Sequence, residues 1–290
     1  MRGFFGAVFL GLALSCLMAP KVLAAVMTPE AVTLDVLPGQ RAIQTITLEN
    51  DELLTQKFAL ELTGIAFGQS ADDLRFTELS PESAAWLSLS KSELEILPGQ
   101  TEVVEVTISV PADAQSRVLS FAVIATQQAD ESQGIKVTRA VTTLVFTQIG
   151  EGLMPNLQVN TFSTVPENVH TSPVKLAALV TNTGTGLSQP TMGIVITNWW
   201  GHEVATLPLN SEQKRVPGLT HRVFSTTWQA GPWKFGPYQA QLFVFPDDSG
   251  TTLTTTTNMV LFPWQMLSVF ALAILVMIAG VIFYQRARSR

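Results

Sequence analysis

Residues 102–110 read E-V-V-E-V-T-I-S-V. Val104, Val106, Ile108 and Val110 fall on one side of an extended chain, with Val103, Glu105, Thr107 and Ser109 on the other. Successive strand side chains point to opposite faces, so this is a strand with one face in a core. The alternation recurs at Val32, Leu34 and Val36, at Ile46 and Leu48, and at Leu119, Phe121 and Val123. It returns at Val174, Leu176, Ala178 and Val180, and at Leu242 and Val244. Thr, Val, Ile and Phe dominate these runs, and such residues suit a pleated surface. Between the two chain ends no segment sustains a 3.6-residue stripe. The pattern predicts an all-β fold, two tandem immunoglobulin-like antiparallel β-sandwiches.

The punctuation between the runs agrees. The tetrapeptide Leu-Pro-Gly-Gln occurs at 37–40 and again at 97–100, each time between two strands. Pro presets φ at the first corner and Gly supplies a positive φ at the second, which predicts a type II turn. Val216-Pro217-Gly218 predicts another. The flanks of the first two turns also match, LDVLPGQRAIQTITLEN against LEILPGQTEVVEVTISV. A unit of about 60 residues is small for a sandwich, so the repeat reads as two equivalent edges of one domain, with internal duplication the alternative. Residues 149–156, I-G-E-G-L-M-P-N, interrupt the alternation and predict a linker. The expected order is one acidic sandwich over 26–148, the linker, and a second sandwich over 157–262.

The two ends differ from the middle. Residues 266–284 carry no charge, and Arg286, Arg288 and Arg290 follow. About 20 apolar residues span a hydrocarbon core of roughly 30 Å. A transmembrane helix is expected over 263–284, followed by a basic cytoplasmic tail over 285–290, because positive charge stays inside. Trp264 suits the interfacial aromatic belt. At the other end, Arg2, an apolar run over 4–18 and the small residues Ala24 and Ala25 predict a secretory signal peptide over 1–25, cut after one of those alanines. The expected protein is single-pass, with its sandwiches extracytoplasmic. A lipid on Cys16 is the alternative anchor, and it would duplicate the helix.

Cys16 is the only cysteine, so a mature chain holds no disulfide, cysteine nucleophile or cysteine-ligated zinc. Residues 26–262 hold all 23 acidic residues against 12 of the 17 basic ones, a formal charge of −11. The excess sits in 26–150, with 17 acids and 7 bases. Such a surface repels nucleic acid, which is not an expected partner.

The opening strand with Val32, Leu34 and Val36, its Pro-Gly turn and the strand ending in Leu48-Glu49-Asn50 resemble the N-terminal domain of WxL-interacting bacterial cell-surface proteins. The second strand, Pro-Gly and strand unit at 94–110, then Pro111 and the apolar run at 119–125, continue the likeness. So does the order of signal peptide, two sandwiches, one C-terminal helix and a basic tail. The resemblance implies a first domain associated with peptidoglycan and a second that meets a partner. Where a glycine-rich segment is expected before the penultimate strand, this chain has Ala114-Gln115-Ser116-Arg117. Similar patterns occur in pilus chaperones and other immunoglobulin-like bacterial domains.

No catalytic motif emerges. His170, His202 and His221 match no metal spacing. Asp72-Asp73 and Asp247-Asp248 read as solvated loop pairs, with a calcium ligand the alternative. Neither G-x-S-x-G, a P-loop nor an EF-hand is present. The expectation is a non-enzyme without cofactor or metal.

One feature asks for a contact. Asn198-Trp199-Trp200-Gly201-His202 lies between strand patterns at 193–197 and 203–207, which predicts a hairpin tip. Two adjacent tryptophans cannot both face one core, and an exposed tryptophan marks contact sites. Trp199, Trp200 and His202 are therefore the candidate binding residues, for a sugar ring or a partner pocket. Trp228, Trp233, Phe235 and Tyr238 read as core or corner residues. The sequence predicts a membrane-anchored binding or adhesion protein of a bacterial envelope, meeting cell-wall polymer or another surface protein. The alternative is a structural or assembly subunit of a secretion or pilus-like complex.

Overall fold

The computed structural model describes residues 25–68, 74–128, 139–165, 169–170, 172–231, 234–246, 251–262 and 264–288. The expected signal peptide with Cys16, both aspartate pairs, Trp233 and Arg290 lie outside these residues, as do the side chains of His170 and Trp264.

The alternating runs become strands with the expected inward faces. The first ten are β1 (Ala25–Thr28), β2 (Ala31–Val36), β3 (Arg41–Asn50), β4 (Gln56–Phe67), β5 (Leu74–Thr77), β6 (Leu87–Leu89), β7 (Glu93–Ile96), β8 (Thr101–Ser109), β9 (Arg117–Gln127) and β10 (Ala140–Ile149). They form a four-stranded sheet, β1-β3-β8-β6, and a six-stranded sheet, β2-β10-β9-β4-β5, in which β7 also pairs with β4. Val104, Val106 and Ile108 meet Phe121, Val123 and Ile46 in one core between the sheets. A single helical turn, α1 (Pro81–Ala85), precedes β6; Ser80 caps it by accepting from the Ser83 amide at 3.1 Å.

The remaining strands are β11 (Leu157–Val165), β12 (Val169–His170), β13 (Val174–Asn182), β14 (Thr191–Asn198), β15 (Glu203–Pro208), β16 (Thr220–Trp228), β17 (Gly236–Phe245) and β18 (Leu253–Leu261). They make a three-stranded sheet, β11-β13-β16, and a five-stranded sheet, β12-β18-β17-β14-β15. Val174, Leu176, Ala178 and Val180 close on Ile194, Ile196, Leu242 and Val244 in a second core.

Among the described residues the pairing is antiparallel except at two places. β2 runs parallel to β10, and β12 runs parallel to β18. In each unit the opening of the chain is shared between both sheets, and its second part lies along the unit's last strand. Such a split covers an edge on each sheet, and an open edge invites pairing with other chains. Cis prolines lie between β1 and β2, at Thr28-Pro29, and between β12 and β13, at Ser172-Pro173.

Both Leu-Pro-Gly-Gln turns carry the chain from the six-stranded sheet to the four-stranded one, β2 to β3 and β7 to β8. Gly39 and Gly99 take φ of 81° and 69°, and the Gln40 and Gln100 amides each donate to the leucine carbonyl three residues back at 3.0 Å, the closure of a type II turn. The turns are related by a local pseudo-twofold. Gly39 and Gln40 bond to Val110 beyond β8, whereas Gly99 and Gln100 bond to Asn50 at the end of β3. The third turn departs from expectation. Gly218 is not in the positive-φ region; Leu219 is, at 59°. Gly218 is demanded by crowding, since a Cβ there would lie 2.4 Å from the Thr185 carbonyl oxygen.

Half of the expected linker is docked. Met154 and Asn156 carbonyls accept from Thr185 and Thr183 at 2.9 Å each. Beyond the second unit, α2 (Trp264–Arg288) runs past the expected end of the span and includes Arg286 and Arg288. Cations in the last turn favour helix continuation, because they face the negative end of the helix dipole.

Candidate functional site

The tip between β14 and β15 is built by Asn198. Its Oδ1 accepts from the Trp200 amide at 3.0 Å and the His202 amide at 2.9 Å. Its backbone closes the loop, donating to the His202 carbonyl and accepting from Gly201, both at 2.9 Å. Gly201 holds φ at 78°, a conformation glycine adopts without steric cost. Trp199 is 55% exposed and Trp200 72%. The two rings meet edge-on at 4.7 Å, and Phe235 adds a third ring 6.4 Å from Trp199.

The expected trio of Trp199, Trp200 and His202 is together on one loop, with His202 exposed as well. Phe235 corrects the sequence reading: it is no core residue but 57% exposed. It precedes Gly236, whose φ of 91° turns the chain into β17 before a side chain can reach the core. Trp228 and Tyr238 are buried as expected and pack edge-on at 5.2 Å. Burial raises the Tyr238 hydroxyl above its ordinary pKa.

A second arrangement joins the two units. Val145 points into the first core, while the next residue, Phe146, faces away from it and is still buried. The Arg215 guanidinium of the second unit lies 5.7 Å from its ring centre, and Arg222 lies 4.6 Å over Phe67. The Leu187 amide donates to Gln148 Oε1 at 3.0 Å, and Arg222 Nη1 donates to the Arg215 carbonyl at 2.9 Å. Burial pulls the Arg222 guanidinium down to about 10, with Glu212 pulling it back up; burial also lowers Arg215. Arg222 stays charged at neutral pH. Sequence reading missed this seam, although a signal was present: Arg222 occupies the same strand face as Phe224, a core position by period two.

Elsewhere, the outer face of the three-stranded sheet holds a shallow depression of ≈ 400 Å³ beside Thr161, Leu179, Thr181 and His221. Among the described residues no group of three or more His, Cys, Asp or Glu is placed to hold a metal ion. The aromatic tip can stack or insert.

No protein-family model matches the chain, and no curated protein matches it. Solved structures that it resembles include the class 5 fimbrial chaperone CfaA, 11% identical, covering 83% of this chain and 100% of that one with a TM-score of 0.42. The E. coli chaperone DraB is 11% identical over 82% of this chain and 97% of that one, TM-score 0.41. A Salmonella enterica SafA pilin–SafB chaperone complex gives 12%, 82%, 98% and 0.42. At these values the likeness carries nothing beyond the sandwich architecture, which the strand pairing establishes by itself.

Proposed function

We propose that the chain is a single-pass membrane protein that holds two non-enzymatic β-sandwiches outside the cytoplasm, as a binding or adhesion platform of a bacterial envelope. One observation carries this reading. Ser268–Arg286 has a mean hydropathy of 2.3, and its described side chains are exposed rather than packed on either sandwich. A helix that is apolar all round needs an apolar surrounding, and a bilayer supplies it. The arginines after it assign the C-terminus to the cytoplasm. In this reading the partner is cell-wall polymer or another surface protein, the class that the resemblance to WxL-interacting proteins implies.

The seam supports a second reading, a structural or assembly subunit. Arg222 on Phe67 and Arg215 on Phe146 brace the sandwiches against each other, as a spacer requires.

The test is full-length protein tagged at residue 26 and at the C-terminus, in spheroplasts. External protease should remove the first tag and spare the second, and alkaline carbonate should leave the chain in the membrane pellet. A protected first tag or a carbonate-soluble chain overturns the proposal. Crosslinking in intact cells then separates the readings: wall fragments or a surface protein favour the platform, and secretion or pilus components favour the assembly subunit.

A further inference from the structure

The aromatic tip lies at the end of the second sandwich from which α2 departs. Asn198 of β14 pairs with Tyr238 of β17, and Tyr238 pairs with Met259 of β18. Gly236 pairs with Leu261, the last residue of β18, and α2 begins at Trp264. The loop beyond Asn198, Phe235 just before β17, and the exit of the chain into the helix are thus level with one another. Only β17 separates β14 from β18, so the tip stands two strand spacings, roughly 10 Å, from the exit.

We infer that Trp199, Trp200 and Phe235 form a foot that seats the second sandwich on the lipid surface entered by its own helix. The inference rests on reading α2 as a membrane span. Three large rings exposed together are costly in water, and the headgroup zone of a bilayer is where tryptophan is enriched, its ring half in apolar surroundings and its N–H wet. The loop suits that zone: residues 198–202 carry no carboxylate, and the next one, Glu203, accepts from Thr206 Oγ1 at 2.6 Å. Val260, exposed on β18 opposite Pro237, extends the apolar rim toward the exit. A sugar or protein partner would have to reach the tip from the membrane side. The foot thus replaces the partner contact expected for these residues, and it fixes how the sandwich stands on the membrane.

The experiment uses the full chain in phosphatidylcholine vesicles whose acyl chains are brominated near the headgroups. Tryptophan emission is compared between the unaltered protein and W199F/W200F, with W264F reporting on α2. The emission removed by W199F/W200F should be the part that bromolipid quenches and aqueous iodide does not. If that emission is instead quenched by iodide and untouched by bromolipid while the Trp264 emission is quenched by bromolipid, the foot is wrong and the span stands. If carbonate extracts the chain and the Trp264 emission escapes bromolipid, the span reading fails and the foot with it. Should the double variant not fold, W199F and W200F singly give the same comparison.

Discussion

At the residue scale, two buried asparagines tie down the segments that follow their strands. Asn182, fully buried at the end of β13, donates to the Gly186 and Val216 carbonyls at 2.8 and 3.0 Å. Its Oδ1 accepts from Asn156 and Gly184 at 2.9 and 3.1 Å. Asn50, equally buried at the end of β3, binds the Leu54 and Ile96 carbonyls and accepts from Glu52. Each replaces backbone partners that an irregular segment lacks. Asn182→Ala orphans the Gly186 carbonyl and the Asn156 and Gly184 amides, while the Val216 carbonyl keeps the Ser188 amide; it should lower the stability of the second unit by about 3 kcal/mol, read by chemical denaturation. The aromatics divide by burial. Trp228→Ala should remove about 3–5 kcal/mol, while Trp199→Ala with Trp200→Ala should shift the melting temperature little, because both rings are already exposed. A large drop for the double variant in thermal unfolding would put those rings in the core after all.

At the element scale, the glycine-dependent turns obey two different physical demands. In the Leu-Pro-Gly-Gln turns the demand is a positive φ, a local property legible from four residues. At Gly184 the demand is space. A Cβ there would come 2.2 Å from the Met154 carbonyl oxygen, in the segment that docks beside β13. Gly184→Ala must push that segment away and should destabilise the second unit by about 2 kcal/mol. In limited proteolysis the variant should become cleavable within 153–156, where the unaltered chain is protected by the Thr183 and Thr185 amides. Cleavage at equal rates in both proteins would mean the docking is not what protects the segment.

At the scale of the whole molecule, two sandwiches gain a mutual orientation through cations on rings. The Arg222 guanidinium lies over Phe67 with its stem buried, so both charge and flat shape matter. A double-mutant cycle with Arg222→Ala and Phe67→Ala should return a coupling of about 1 kcal/mol. Arg222→Lys should recover only part of it, because an ammonium does not stack. Zero coupling would show the rings and cations to be neighbours without a shared energy. Secondary structure offers a coarser check: far-UV circular dichroism of the full chain should be dominated by strand, with a helical contribution of the size of α2.

Sequence alone determined what depends on near neighbours. Alternation at Glu102–Val110 requires only that each residue know the next, and it placed Val104, Val106 and Ile108 in a core. The two Pro-Gly turns and the unbroken uncharged run over 266–284 are likewise local. Tertiary structure decided whatever joins residues distant along the chain. Phe235 reads like any aromatic before a strand, and only the φ of Gly236 and the neighbouring tip leave it in the open. Arg222 sits in a core-facing slot that is stable because Phe67 of the other unit covers it. The parallel pairing of β2 with β10 and β12 with β18 joins the start of each unit to its end. Pattern rules see one strand at a time, whereas pairing is a property of two, settled by which edge is left to cover once the cores have closed.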